Sequence, residues 1–306
     1  MKKFSIFGAA LMLAATASVA QSAPAKTQSP PAQSKPAPPT LEPITPATAQ
    51  PPTGLEPSKV AKAPEAKTPE EFKAYQDAIA VPDAAAAEVA ADAFAKQYPA
   101  SELRVPAYSM LLQKAYEANE TSKILSLGRK VLAIEPDNAM TQVVTATAMA
   151  ETTKTTDLDY AEKFSEANKL IDGALKNIDT MLPQPNVTPE QFELLKNMLR
   201  SMAHSAKGYM AMNKRDYLGS EDAFQKAVNA NPAQPDPVLY LRLAVAQDNQ
   251  RKWAPALSNA TKALQLAEAQ NNPVVANLAR GERDRVQKLM GSPTATKPAA
   301  TTPPKK

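Results

Sequence analysis

His204 is the only histidine in the 306 residues, and the chain has no cysteine. Ser201 and Ser205 stand beside His204, so a hydroxyl nucleophile and a base share one short segment. Acyl transfer would also need an orienting third group and an oxyanion site, and spacing alone supplies neither. Without a second histidine or any thiolate, a tetrahedral metal quartet is out of reach. Met198, Met202, Met210 and Met212 could be a thioether set for copper, but their helical spacing is also that of core side chains. The acidic pairs Asp157/Asp159 and Glu221/Asp222 suit helix starts and solvated faces, since carboxylates near a helix N-terminus are favoured by its dipole. Gly208 and Gly219 stand alone, so no glycine-rich phosphate loop is present. These residues read as packing and capping groups. No catalytic residue, metal or cofactor is expected.

The elements that would position such groups occupy only part of the chain. Lys2 and Lys3 precede an apolar run over 4–16, and Ser18-Val19-Ala20 offers small residues to a signal peptidase, so residues 1–20 read as a signal peptide. The alternative is an uncleaved inner-membrane anchor. With no cysteine available, a lipid anchor at an N-terminal Cys is excluded. Residues 21–67 are a Pro/Ala-rich linker with too little apolar surface to offset its ordering entropy, and 292–306 form a similar Pro/Lys tail. The segment 68–291 is the folded body. Of the 35 Lys and Arg, ten lie outside that body, as do three of the 31 acids, so the body itself carries 25 positive against 28 negative side chains. A nucleic-acid-binding face needs a basic surplus to release counterions, and none is available. Export without disulfides or a lipid anchor points to the periplasm.

Within the body, Thr68-Pro69-Glu70-Glu71 opens the first helix: Thr caps it, Pro fits its first position and Glu71 can reach back to the cap amide. Thr188-Pro189-Glu190-Gln191 repeats the device. Helices are expected over 69–80, 83–98, 102–118, 121–134, 138–153, 157–181, 189–212, 216–230, 237–250, 253–270 and 273–290. No stretch alternates with period two, so no strand is expected.

Residues 220–232, SEDAFQKAVNANP, carry a Phe and an Ala three apart before an Asn-Pro stop, after a Gly-Tyr helix and an Asp-Tyr turn. Gly208, Asp216, Tyr217, Phe224 and Ala227 hold the repeat positions of that unit, and Tyr240, Leu243, Ala244, Trp253, Ala256 and Ala263 hold those of the next, which starts 36 residues later. Tyr108 and Leu111 hold the first-helix places of an earlier unit closing on Ile-Glu-Pro-Asp-Asn, although Leu112 and Gly128 depart from the usual sizes there. In sequence the body resembles the tetratricopeptide repeats (TPR) of bacterial periplasmic proteins, whose units of about 34 residues are helix pairs.

That resemblance implies an all-α fold, a TPR-like right-handed α-solenoid of antiparallel helix pairs. Each pair buries its apolar face only against a neighbour. It also implies a non-enzymatic adaptor or scaffold that holds a protein or peptide in a concave groove lined by first helices. Outward positions there are Ser109, Gln113 and Tyr116, then Ser205, Tyr209, Met212 and Asn213, then Leu241, Arg242, Val245 and Asn249; the bland alternative is that they are interhelical core. The expected binding subset is Tyr116, Gln113, Tyr209, Met212, Asn213, Arg242 and Asn249. Tyr209 and Met212 would form an adaptable apolar patch. Envelope assembly or cell-wall coordination is the implied setting, near the wall or outer membrane. A superhelical cell-wall enzyme is the remote alternative, and an end-to-end homo-oligomer a third.

Overall fold

The computed structural model describes residues 61–184 and 187–291. Among these residues there are eleven α-helices and no strand. They are α1 (Pro69–Ile79), α2 (Ala84–Gln97), α3 (Arg104–Glu117), α4 (Thr121–Ile134), α5 (Ala139–Thr152), α6 (Tyr160–Thr180), α7 (Pro189–Asn213), α8 (Tyr217–Ala230), α9 (Pro237–Asn249), α10 (Trp253–Ala269) and α11 (Pro273–Met290). The apolar run 4–16, its flanks and the tail 292–306 lie outside the described residues. No described helix is long and apolar enough to cross a membrane.

Local chemistry sets the helix boundaries. Thr188 Oγ1 accepts from Gln191 N, and Gln191 returns the bond to the Thr188 amide, a reciprocal capping box. Thr68 likewise caps Glu71 N, but the Glu71 carboxylate accepts from Lys67 N, one residue before the expected amide. Helix α6 begins at Tyr160 rather than near Asp157. The Asp157 carboxylate is taken by Lys154 N at 2.9 Å, closing a turn instead of opening a helix. Four helices end alike, with Asn119, Arg215, Arg251 and Asn271 at φ between 52 and 60°. In each case the next residue's N–H returns to a carbonyl five residues back, as Asp216 N does to Ala211 O at 2.9 Å. This is the Schellman ending, here built on side-chain-bearing residues where glycine is usual.

Extensive packing runs only between helices adjacent or next but one in order: each helix on its successor, and α1 on α3, α5 on α7, α9 on α11. The even-numbered row is linked by charge. Lys130 of α4 reaches Glu88 and Asp92 of α2, each at 2.8 Å, and Arg129 of α4 reaches Glu166 of α6 at 3.0 Å. The core follows the same order, as four successive clusters. One spans α1–α5, a second α5–α7, a third gathers Phe224 and Ala227 with Leu239 and Leu243, and the last joins α9–α11. Helix α5 serves two clusters, Val144 and Ala148 facing one and Val143 and Ala146 the other. Flanked by α4, α6 and α7, it is buried nearly all round, with Thr141, Gln142 and Thr145 inside beside its apolar residues. Alanines make the close approaches possible: Ala167, Ala174, Ala203, Ala206, Ala227, Ala256, Ala260 and Ala263 are all fully buried.

Residues 61–67, the end of the expected linker, lie extended against the helices. Ala61 N–H donates to Pro183 O at 2.9 Å, and Lys67 Nζ donates to Ala100 O at 2.9 Å. Ala66 packs on the first core cluster.

Candidate functional site

The repeat positions meet as their sizes require. A Cβ on Gly208 of α7 would lie 2.7 Å from the Phe224 ring of α8, so hydrogen is the substituent that fits. Two helical turns before Gly208, Ser201 Oγ donates to Ala227 O at 2.8 Å, which locks α7 to α8. That bond commits the hydroxyl beside His204 to structure. His204 is half-buried, and burial, with Lys207 and Lys226 nearby, holds its imidazole below the ordinary value. Met198, Met202 and Met210 belong to the α5–α7 core. Glu221 is a hydrogen-bond hub, accepting from Gln247, Gln250 and Lys252 at 3.2, 2.8 and 2.6 Å. Burial opposes its ionisation, but these three donors outweigh it and hold the carboxyl below the usual range. Tyr108 and Leu111, Leu243, Ala256 and Ala263 are buried, while Tyr217, Tyr240 and Trp253 are half-buried. Among the described residues no group of three or more His, Asp or Glu could hold a metal ion.

Of the expected binding residues, the structure brings three together, Tyr209, Arg242 and Met212. The Tyr209 ring of α7 meets Phe224 edge-on, centroids 5.6 Å apart, and the Arg242 guanidinium of α9 sits 5.1 Å from the same ring. Met212, one turn further, packs partly exposed on the Phe224 cluster. Burial pushes the phenols of Tyr116 and Tyr209 up, and the charge of Glu151 at the end of α5 pushes both further; Arg242 partly offsets this at Tyr209. Tyr116 on α3 and Tyr209 on α7 thus sense one carboxylate between them. Gln113 and Asn249 are turned to their own helices, Gln113 donating to Glu117 at 3.0 Å and Asn249 to Val245 O at 2.8 Å. Asn213 leaves the group and donates to Thr153 O at 3.2 Å. Ser205 and Leu241, expected to face outward, are buried, because α7 and α9 each have three helices packed around them.

One feature escapes the sequence reading. An open cleft of about 900 Å³ lies where the first half of α6, the connection before it and the end of α7 come together. The other odd-to-even hairpins turn in three or four residues, at 80–83, 118–120, 214–216 and 250–252, but α5 reaches α6 through the seven residues 153–159. Lys214 crosses the Phe164 ring at 5.2 Å, and Lys169, Lys214 and Arg215 all line the space. None of the three pairs with a described carboxylate; Asp172, which also lines the space, pairs instead with the adjoining Lys207 at 2.7 Å. The signals available were the long connection and the Lys-Arg pair at a helix end.

No protein-family model matches the chain, and no curated protein matches it either.

Proposed function

We propose that this chain is a non-enzymatic adaptor of the bacterial cell envelope, a TPR-like right-handed α-solenoid that holds a protein or peptide partner on its odd-numbered helices. The observation that carries the reading is Tyr209, fixed between Phe224 and Arg242 with Met212 beside it. Aromatic and arginine side chains pre-set in a partly desolvated place are those that dominate binding energies, and Met adapts to varied partners. Neighbour-only packing and the Gly208–Phe224 contact support the repeat reading, since each helix pair then covers the next. The Pro-rich arm would give reach to the cell wall or outer membrane, with the periplasm as the compartment.

A photo-crosslinking residue placed at Tyr116 and at Tyr209 tests this in intact cells. The expected result is one adduct of the same mass from both positions, absent when crosslinking is directed from Lys262 on α10 and lost with Arg242→Ala. Equal adducts from Lys262, or none from either tyrosine, would overturn it. Periplasmic fractionation of a product beginning at Gln21 is the expected companion result.

A further inference from the structure

We infer that the cleft between α6 and the end of α7 is a second docking site, built for an acidic peptide segment that also carries apolar side chains. Three cations that pair with no described carboxylate line one concavity, and the carboxylate that also lines it, Asp172, is already taken by Lys207 at 2.7 Å. With Asp172 matched by Lys207, Lys169, Lys214 and Arg215 leave a positive surplus there, and a bound carboxylate offsets that surplus while steering encounter. Lys214 is held in place by its contact with the Phe164 ring, itself fully buried, so less side-chain entropy is lost on binding.

The remaining groups favour a peptide over a free inorganic anion. Asn168 and Asn213 line the cleft, each with one amide N–H committed, to Phe164 O at 2.9 Å and Thr153 O at 3.2 Å. Each keeps its Oδ1 as an acceptor beside its second N–H, an acceptor and donor together that suit a peptide backbone, whereas a phosphate oxygen could use only the donor. Tyr160 lines the cleft and is partly exposed, and Leu158, two residues before it in the connection, is fully exposed, apolar surface that a small anion would not use. The chain's own termini do not fit. Residues 1–60 and 292–306 carry eight lysines against two glutamates, the wrong sign for this surface. The occupant is therefore a segment of another protein.

The site is separate from the Tyr209–Arg242 neighbourhood, and its test keeps them apart. Anisotropy of a fluorescent peptide of alternating Glu and Leu, titrated with the full chain, should show salt-sensitive binding. Lys214→Glu and Lys169→Glu, both exposed positions, should each weaken it about tenfold, with unchanged circular dichroism. Arg242→Ala should leave it intact. Three results would overturn the inference: no binding of the Glu-Leu peptide, binding indifferent to both reversals, or complete displacement by inorganic phosphate. A peptide of alternating Lys and Leu is the control, and equal binding of it would overturn the inference as well.

Discussion

At the scale of single residues, one contact decides more than its size suggests. Gly208 has no side chain because the Phe224 ring occupies the space a methyl would take, 2.7 Å from the Cβ position. A ring locked by Tyr209 edge-on and by Leu243 behind it cannot move aside cheaply. Gly208→Ala should therefore destabilise the chain by roughly 1–3 kcal/mol despite alanine's better helix propensity, read as a lower denaturant midpoint. His204 offers a prediction with a sign. Its folded value lies below the ordinary 6.5 because burial disfavours the charged form. As pH falls through about 6.5, the unfolded chain takes up a proton before the folded one does, so stability is lost on acidification and is whole above neutrality. His204→Phe removes that titration. The variant should lose less thermal stability than the native chain between about pH 7 and pH 5, and an equal loss would show that other groups set the slope.

At the scale of elements, helix ends were the more legible feature where a side chain acts on its own turn. Thr188 and Gln191 form the reciprocal box that their spacing implies, because that bond is local and needs no tertiary partner. Asp157 misled for the converse reason: the same carboxylate can close a turn on Lys154 N, and the choice between turn and helix is made by how the connection packs. The left-handed arginines at helix ends could not be read at all, since arginine gives no such signal, and asparagine gives only a weaker one than glycine. They are instead imposed by three-residue turns that must return the next helix at once. Arg251 at φ 60° holds a conformation that costs a side-chain-bearing residue about 1 kcal/mol. Arg251→Gly should recover most of that cost, raising the denaturant midpoint without changing its slope. A fall in stability would mean that the arginine side chain holds the turn by contacts of its own.

At the scale of the whole molecule, helix number, order and the absence of strands among the described residues were all visible in the 3.6-residue periodicity of the apolar positions. The Tyr209–Arg242 pairing was partly visible, as two outward positions on successive first helices, but Ser205 and Leu241 were not distinguishable from them. Exposure on a helix enclosed by three others depends on distances that no periodicity encodes. The cleft was invisible for a related reason: an empty space is made by a connection that is longer than packing requires, and sequence shows only the length. What unifies these observations is packing confined to neighbours, with four core clusters in chain order.

Such a body should lose stability locally rather than all at once. Phe224→Ala removes the centre of the α7–α9 cluster, and a fully buried Phe of this kind is worth roughly 3–5 kcal/mol. Hydrogen exchange followed by mass spectrometry on the full chain measures where that loss falls. Faster exchange in α7–α10 with unchanged protection in α1–α4 is the expected result. A uniform loss of protection across all eleven helices would show a single cooperative core, and with it the picture of helix pairs covering only their neighbours would fail.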